Sequence, residues 1–536
     1  MKLGGLPNRA YNIVFHTHTI SGIVISFALY VIFFAGAFTL FRDEFYQWED
    51  AKARQPITTA VNYDALVENL KKKQPAFNLD DDMYLYLPTK HKPRVGFFGH
   101  IVTKDKTVED HFHGEFYPQT NELHIGEPPT TIGETLYRLH FFDQVPFYIG
   151  RYLAGFVALF FVFAVLTGVL IHWRNIVSKF YGFSLKGSLK QIWTSSHTVF
   201  GLLGLPFQLM YAITGAYYIL SILILLPVVF IFFGGDQKKV LAMLRPNDAV
   251  VLNEKSPLTT QNRSINQTLD QIRAKYPGFE VQTVNIKHYS REDALLSVYG
   301  KDPSYFSGDG AMAISLKDGK ALVEMMPGKK TYVQSVLYGI AGVHFATFGG
   351  TLLKIVYFFL AIVTCFVIIS GVLLWKEARN KKNYTAKQKL FHHRVTMSYL
   401  AICFGLFPAL PILFMAERLV PGSLENHISL VNTTFFLSWL FFTIIGLFWK
   451  TEANLTRNYL YAGGILSLGV PLVNGFMTGD WFWKTLANQQ YFVAGTDLSW
   501  LVTGILCVGI AFRFWKKPTD KVVTTLAYEE DTVSKR

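Results

Sequence analysis

Apolar residues do not alternate with polar ones in this chain; they run. Predominantly apolar stretches occupy roughly 19–40, 147–171, 199–233, 351–375, 396–415, 431–449, 459–477 and 498–514. About 20 such residues cross a bilayer, so the pattern predicts eight membrane spans. The first stretch is longer than the apolar region of a secretory leader, about 7–15 residues, and no small-residue cleavage motif follows it. It is expected to stay in place as the first span. The stretch over 199–233 is too long for one straight helix crossing at about 1.5 Å per residue. A single span bent near Pro227, with an interfacial end, suits it better than two spans.

Two long polar segments, 41–140 and 234–340, interrupt the apolar pattern. Each opens on a helical stretch, Tyr63 to Gln74 and Ser264 to Tyr276, with apolar residues on one face. Alternating strand-like segments follow, such as Met83 to Pro88 and Val281 to Ile286, separated by Gly, Pro and Asp. Each insert therefore reads as a small α+β domain. The whole reads as an all-α polytopic bundle carrying two such inserts. Its expected division is 10–40 span one, 41–140 insert one, 141–174 span two, 195–233 span three, 234–340 insert two, 341–376 span four, 390–516 a four-span block and 517–536 a tail.

Charge sets the orientation. The net charge is +13, and in a membrane protein this excess does not imply nucleic acid. The basic residues gather in short connections, at Arg174 to Lys190, Lys376 to Lys389, Lys450 to Arg457 and Arg513 to Lys521. The positive-inside rule places these in the cytoplasm. With Lys2 and Arg9 also inside, eight spans leave both inserts outside and both termini inside. The three cysteines, Cys365, Cys403 and Cys507, fall within apolar runs. They are expected to be packing residues, with no disulfide framework and no cysteine metal site.

The chain repeats itself. HTISGIVISFALYVIFFAGAF from His18 aligns without gaps with HTVFGLLGLPFQLMYAITGAY from His197, sharing His, Thr, Gly22 with Gly201, and the Gly-Ala pairs at 36–37 and 215–216. The spans after the inserts match as well, from LYRLHF to TGVLIHW (136–173) and from LYGIAGVHF to SGVLLW (337–375). Each unit is span, insert, span. Both copies start inside, so their pseudo-twofold axis runs along the membrane normal.

Of fifteen histidines, four are paired by this repeat. His18 and His197 open spans one and three at the cytoplasmic side; His140 and His344 stand at the outer ends of spans two and four. Ionisable residues in spans mark function. Imidazoles on facing helices can hold a haem iron from both sides, and Gly22, Gly36, Gly201 and Gly215 keep helix faces bare for a flat ring or for close packing. One pair near each face gives two haems b. His16, His172, His392 and His393 also lie on the cytoplasmic side, and His16, His172 and His393 are the alternates as ligands. His172 has Leu374 as its repeat counterpart, against a symmetric role. His91, His100, His111, His113 and His124 in the first insert read as solvated; the HFH at 111–113 is a weak metal signal.

A first span opening on His with a later Gly pair, an outside insert, LH or VHF, then a span ending TGVLIHW or SGVLLW, resembles the PepSY-associated transmembrane proteins, also called iron-regulated membrane proteins. The resemblance covers roughly 10–380, and the inserts at about 56–130 and 255–330 look like PepSY domains. In this family HTH at 16–18 more often reads as a His-Arg pair, so His16 and His18 compete. The resemblance implies a bacterial inner-membrane haem protein, a ferric-siderophore reductase, with His18, His140, His197 and His344 holding haem. Electrons would enter on the cytoplasmic side and reduce a ferric siderophore outside. No GxGxxG opens a strand–helix unit, so the donor is a quinol or a separate cytoplasmic reductase. Phe141, Phe142 and Asp143 are candidates to meet substrate; no catalytic side chain is assigned. Two rival readings stand beside this one: a transporter of siderophore or iron, and a haem-free binding or regulatory protein working through its inserts.

Overall fold

A computed structural model of the chain describes residues 2–515 apart from 4–5, 55–59, 90–91, 103–109, 127–130 and 147. The tail at 517–536 and His91 therefore lie outside the described residues. Helices dominate. Helix α1 (Asn8–Thr39) is the first span, and α2 (Arg42–Glu49) and α3 (Tyr63–Lys73) follow it. Helix α4 (Ile132–His140) leads into α5 (Ile149–His172) and a short α6 (Ile176–Phe180). The second unit has α7 (Leu189–Leu203), α8 (Leu205–Phe233), α9 (Gln237–Leu244), α10 (Ile265–Lys275), α11 (Tyr332–His344) and α12 (Gly350–Arg379). The last block is α13 (Ala386–Leu419), α14 (His427–Leu447), α15 (Glu452–Thr478), α16 (Phe482–Ala487) and α17 (Tyr491–Trp515).

Seven described helices are long and apolar enough to cross a bilayer, and the pair α7/α8 makes an eighth span if counted as one. This is a multi-pass helical membrane protein. The bend in the third span is not at Pro227, which α8 carries inside an unbroken helix. It falls at Gly204, where α7 and the first part of α8 meet at 69°. The reason is local. Pro206 stands in the first turn of α8, where its missing N–H costs nothing. A side chain at 204 would collide with Gln208, whose Nε2 lies 2.6 Å from an ideal Cβ there.

The inserts do not fold as separate domains. Strands β1 (Met83–Tyr86), β2 (Val95–Ile101), β3 (Asp110–Tyr117) and β4 (Glu122–Ile125) come from the first insert; β5 (Glu280–Lys287), β6 (Leu295–Lys301), β7 (Asp309–Ser315) and β8 (Ala321–Met325) come from the second. They form one antiparallel sheet, in the order β8-β7-β6-β5-β1-β2-β3-β4. The seam is β1 against β5, with Leu85 opposite Val284 and Met83 opposite Ile286. All four side chains are fully buried. Helices α3 and α10 cover this face, and Leu66, Val67, Leu70, Ile265, Leu269 and Ile272 join the seam residues in one core.

The two helices also finish each other's first turns. Asn62 caps Ala65 N and Ser264 caps Gln267 N, each satisfying an N–H the helix leaves free. Across the join, Tyr63 N donates to Asn266 Oδ1 at 3.2 Å and Ile265 N donates to Asp64 Oδ1 at 2.7 Å. Below, the sheet is pinned to the near end of the helix bundle. Arg94 donates to Asp50 at 3.0 Å and Glu115 at 2.7 Å, and Lys301 donates to Thr347 O at 2.5 Å.

A shared core predicts shared stability. Leu85→Ala removes a buried side chain from the seam, a change that costs about 2–5 kcal/mol in well-packed cores. Limited proteolysis of the detergent-solubilised variant should therefore cut faster in both inserts, including beyond residue 280. Cleavage that accelerates only in the first insert would show that the two stand independently.

Candidate functional site

The repeat-paired histidines meet in the bundle. His18 on α1 faces His197 on α7 with ring centroids 6.1 Å apart and planes at 62°. His140 at the end of α4 faces His344 at the end of α11 at 6.3 Å and 50°. The inner pair belongs to the ends of spans that carry the basic loops; the outer pair lies under the sheet.

How an imidazole is held in an apolar bundle decides its chemistry. His18 Nδ1 lies 2.9 Å from Ala164 O, His197 Nδ1 3.0 Å from Val367 O, and His140 Nδ1 2.8 Å from Ile32 O. A carbonyl only accepts, so each Nδ1 carries the proton and donates it. The Nε2 lone pair is then free for another partner. In each case a glycine stands four residues after the accepting carbonyl: Gly168, Gly371 and Gly36. A helical side chain covers the turn before its own Cα. Its absence bares that carbonyl and makes room for the ring. A Cβ at Gly168 would sit 3.2 Å from His18 Cε1, at Gly371 3.1 Å from His197 Cε1, and at Gly36 2.6 Å from His140 Nδ1.

His344 is held differently. Its Nδ1 is 2.8 Å from Thr214 Oγ1, whose own proton goes to Met210 O at 2.8 Å. The hydroxyl must then accept from Nδ1–H, which again leaves Nε2 free. Tyr211 donates to His344 O at 3.0 Å, and the Tyr211 and Tyr218 rings flank the imidazole, both at 5.1 Å.

A cavity of about 680 Å³ contains the outer pair. Small residues, among them Gly36, Ala37, Ala158, Ala212 and Gly215, open it, and Arg42, Tyr137, Phe141, Tyr148 and Arg151 stand in its lining. Arg151 is bound to Asp143 at 2.5 Å and lies over the Phe141 and Tyr148 rings at 5.1 and 5.2 Å. The backbone is left-handed at Phe142 and Ala346, two residues after each outer histidine, and at Tyr148. These are non-glycine residues, for which that conformation costs energy, so the turns that present the outer pair are held by their surroundings.

The other histidines stand apart or in supporting places. His16 faces an open groove along α1 with Arg9, Asn12 and Thr17. His172 is half-buried and within electrostatic range of His18 and His197. His392 packs its ring edge on Trp375 at 5.0 Å, and His393 is 3.5 Å from Glu452, which Lys376 also binds. On the sheet, His100 and His111 form a cross-strand ring pair at 5.0 Å. No group of three or more His, Cys, Asp or Glu side chains suited to a metal ion occurs among the described residues. Of the glycines singled out by the repeat, only Gly36 seats a histidine. Gly22 has open space around it, Gly201 approaches Val367 at 3.9 Å, and Gly215 approaches Ala158 at 3.4 Å. Gly168 and Gly371 lie within the TGV and SGV motifs; the signal that marks them is a glycine facing the histidine of the preceding span.

This arrangement predicts a contrast between two glycines of one helix. Gly36→Ala should displace the His140 ring and lower the melting temperature in detergent by the equivalent of about 1–3 kcal/mol. Gly22→Ala meets nothing and should be neutral or slightly stabilising, since alanine favours helix. Equal melting curves for the two variants would mean that Gly36 does not seat the ring.

The model of the PepSY-associated TM region matches residues 15–378. A search of curated proteins finds no match. The matched region runs from just before His18 to the end of the fourth span, taking in both inserts and all four paired histidines; the chain belongs to the PepSY-associated transmembrane family.

Proposed function

We propose that the protein is an inner-membrane di-haem b-type oxidoreductase that passes electrons outward to reduce the iron of a ferric siderophore. The observation that carries this reading is the spacing within the two histidine pairs. Two imidazoles bound to one iron at about 2 Å each place their centroids about 6.4 Å apart. The pairs stand at 6.1 and 6.3 Å. The donor set agrees: each Nδ1 is tied to a carbonyl or hydroxyl, the arrangement that orients a metal-bound histidine and makes it more basic.

His18 with His197, and His140 with His344, would hold the two groups. When bound, two haems supply one-electron redox chemistry on either side of the bilayer. The chain's own part is to seat the four rings, fix their tautomers and keep water from the bundle. Ferric iron suits siderophore oxygens better than ferrous iron does, so reduction outside releases it. The opening at the outer pair, with Phe141, Asp143 and Arg151 beside it, is where a ferric complex would approach. The electron donor is a quinol or a separate cytoplasmic reductase.

The test is spectroscopic. The purified protein, expressed with haem available, should show a sharp reduced b-type α-band and about two haems per chain by pyridine haemochrome. Alanine at 18, 140, 197 or 344 should each lower this to about one, while alanine at His16 or His393 should leave two. Reduction of a ferric siderophore by the dithionite-reduced protein should follow. A colourless wild type would sink the reading and move the transporter and haem-free regulatory readings to the front.

A further inference from the structure

The last four spans lie beyond the matched region, and their buried polar side chains converge on one short segment of the first unit. Asp497 on α17 is fully buried. It accepts from Trp48 Nε1 and from Asn474 Nδ2, both at 2.9 Å. Arg418, at the end of α13, donates through Nε to Asn474 Oδ1 at 2.9 Å, through one amino group to Glu49 O at 2.9 Å and through the other to Trp48 O. Its guanidinium lies over the Trp48 ring, 4.0 Å from the centroid. So many donors and acceptors, withdrawn from water and matched to one another, hold the end of α2 in a single position.

That position matters for α4. Glu49 Oε1 accepts from Thr131 N at 2.8 Å and from Ile132 N. These are N–H groups at the start of the helix whose last residue is His140. Thr131 makes no side-chain cap of its own, so the cap comes from another element. A nine-residue helix is too short to stand without such support, and a carboxylate at its N-terminus also meets the favourable end of the dipole. A second grip comes from the same block: Thr135 in mid-α4 donates to Asn432 on α14. The repeat partner is built otherwise. Helix α11, which ends on His344, caps itself through Thr331 and Gln334.

We propose that the four C-terminal spans position His140, acting through Arg418 and Asp497 on Trp48 and Glu49, and through these on the N-terminus of α4. Glu49, Arg418 and Asn432 are positioning residues for one member of the outer pair. The proposal rests on the reading that the outer pair is a site. Glutamine at 49 keeps the shape and the oxygen that accepts from Thr131 N and Ile132 N, so it is a fair stand-in there.

Hydrogen exchange by mass spectrometry on the full-length protein tests this without reference to activity. In Glu49→Ala and Arg418→Met, the amides of 131–140 should exchange about tenfold faster, while peptides spanning 193–200 and 332–344 stay as in wild type. Glu49→Gln should restore the wild-type rate. Should Arg418→Met fail to fold, Asn432→Ala, which removes only the second grip, should still quicken α4 alone. Unchanged exchange over 131–140 in folded Glu49→Ala, or a rise spread evenly over the bundle, would overturn the proposal. In haem-loaded protein, Glu49→Ala should shift one of two low-spin paramagnetic resonance signals and leave the other, with Glu49→Gln restoring it. Two signals shifting together would count against it. Exchange decides the proposal whether or not haem is bound, so absence of haem tells only against the functional reading above.

Discussion

An imidazole inside an apolar helix bundle must give its N–H to something, and in this protein a backbone carbonyl already engaged within a helix takes it. Such a carbonyl has a second lone pair, but the side chain four residues on normally covers it. Removing that side chain is the whole device. Ile32 with Gly36, Ala164 with Gly168, and Val367 with Gly371 are three instances of one construction. It fixes the tautomer and the ring's depth, and it joins each histidine to a neighbouring helix. Span one thereby becomes tied near its N-terminal end to span two through His18, and offers Ile32 to His140 near its other end. The path of the helices and the placing of the rings are one problem with one solution.

The duplication accounts for the rest of the architecture. Four strands from each insert give an order that reads alike from either end, β8-β7-β6-β5-β1-β2-β3-β4. An antiparallel central pair is what a twofold relation between two copies produces. The copies needed each other, because a four-stranded sheet with one covering helix buries little apolar surface. Joined, α3 and α10 cap one another and share one core. The same relation brings the ends of α4 and α11, which lead out of the two inserts, together at their last residues. The outer histidines end those two helices.

The amino-acid sequence shows what is periodic and local, and hides what is remote. The spans, the duplication and the pairing of His18 with His197 and His140 with His344 were legible because apolar runs and repeated motifs lie along the chain. Merging of the inserts was not, since β1 and β5 pair across some 200 residues and strand patterns carry no address. The general rule that proline kinks helices points to Pro227 for the bend. Near the end of a long lipid-facing helix that proline is tolerated, whereas Gly204 followed by Pro206 starts a new helix in a new direction. The external cap on α4 was equally hidden. Thr131 looks like a cap from its position, yet Glu49 does the work from 82 residues away.

Symmetry in the chain is not symmetry in the site. At the inner end both imidazoles donate to carbonyls, and Thr167 and Ser370 add their hydroxyls at 3.4 Å in matching places. At the outer end one imidazole has a carbonyl and the other the hydroxyl of Thr214. A carbonyl is the stronger acceptor, and a stronger hydrogen bond on Nδ1–H makes Nε2 a more basic ligand. The mechanical support is divided in the same way: α4 leans on the C-terminal block and α11 caps itself. The outer histidines are already unequal within the duplicated half, where Thr214 replaces a carbonyl, and the added block, by gripping α4 and not α11, widens the difference in how the two rings are held.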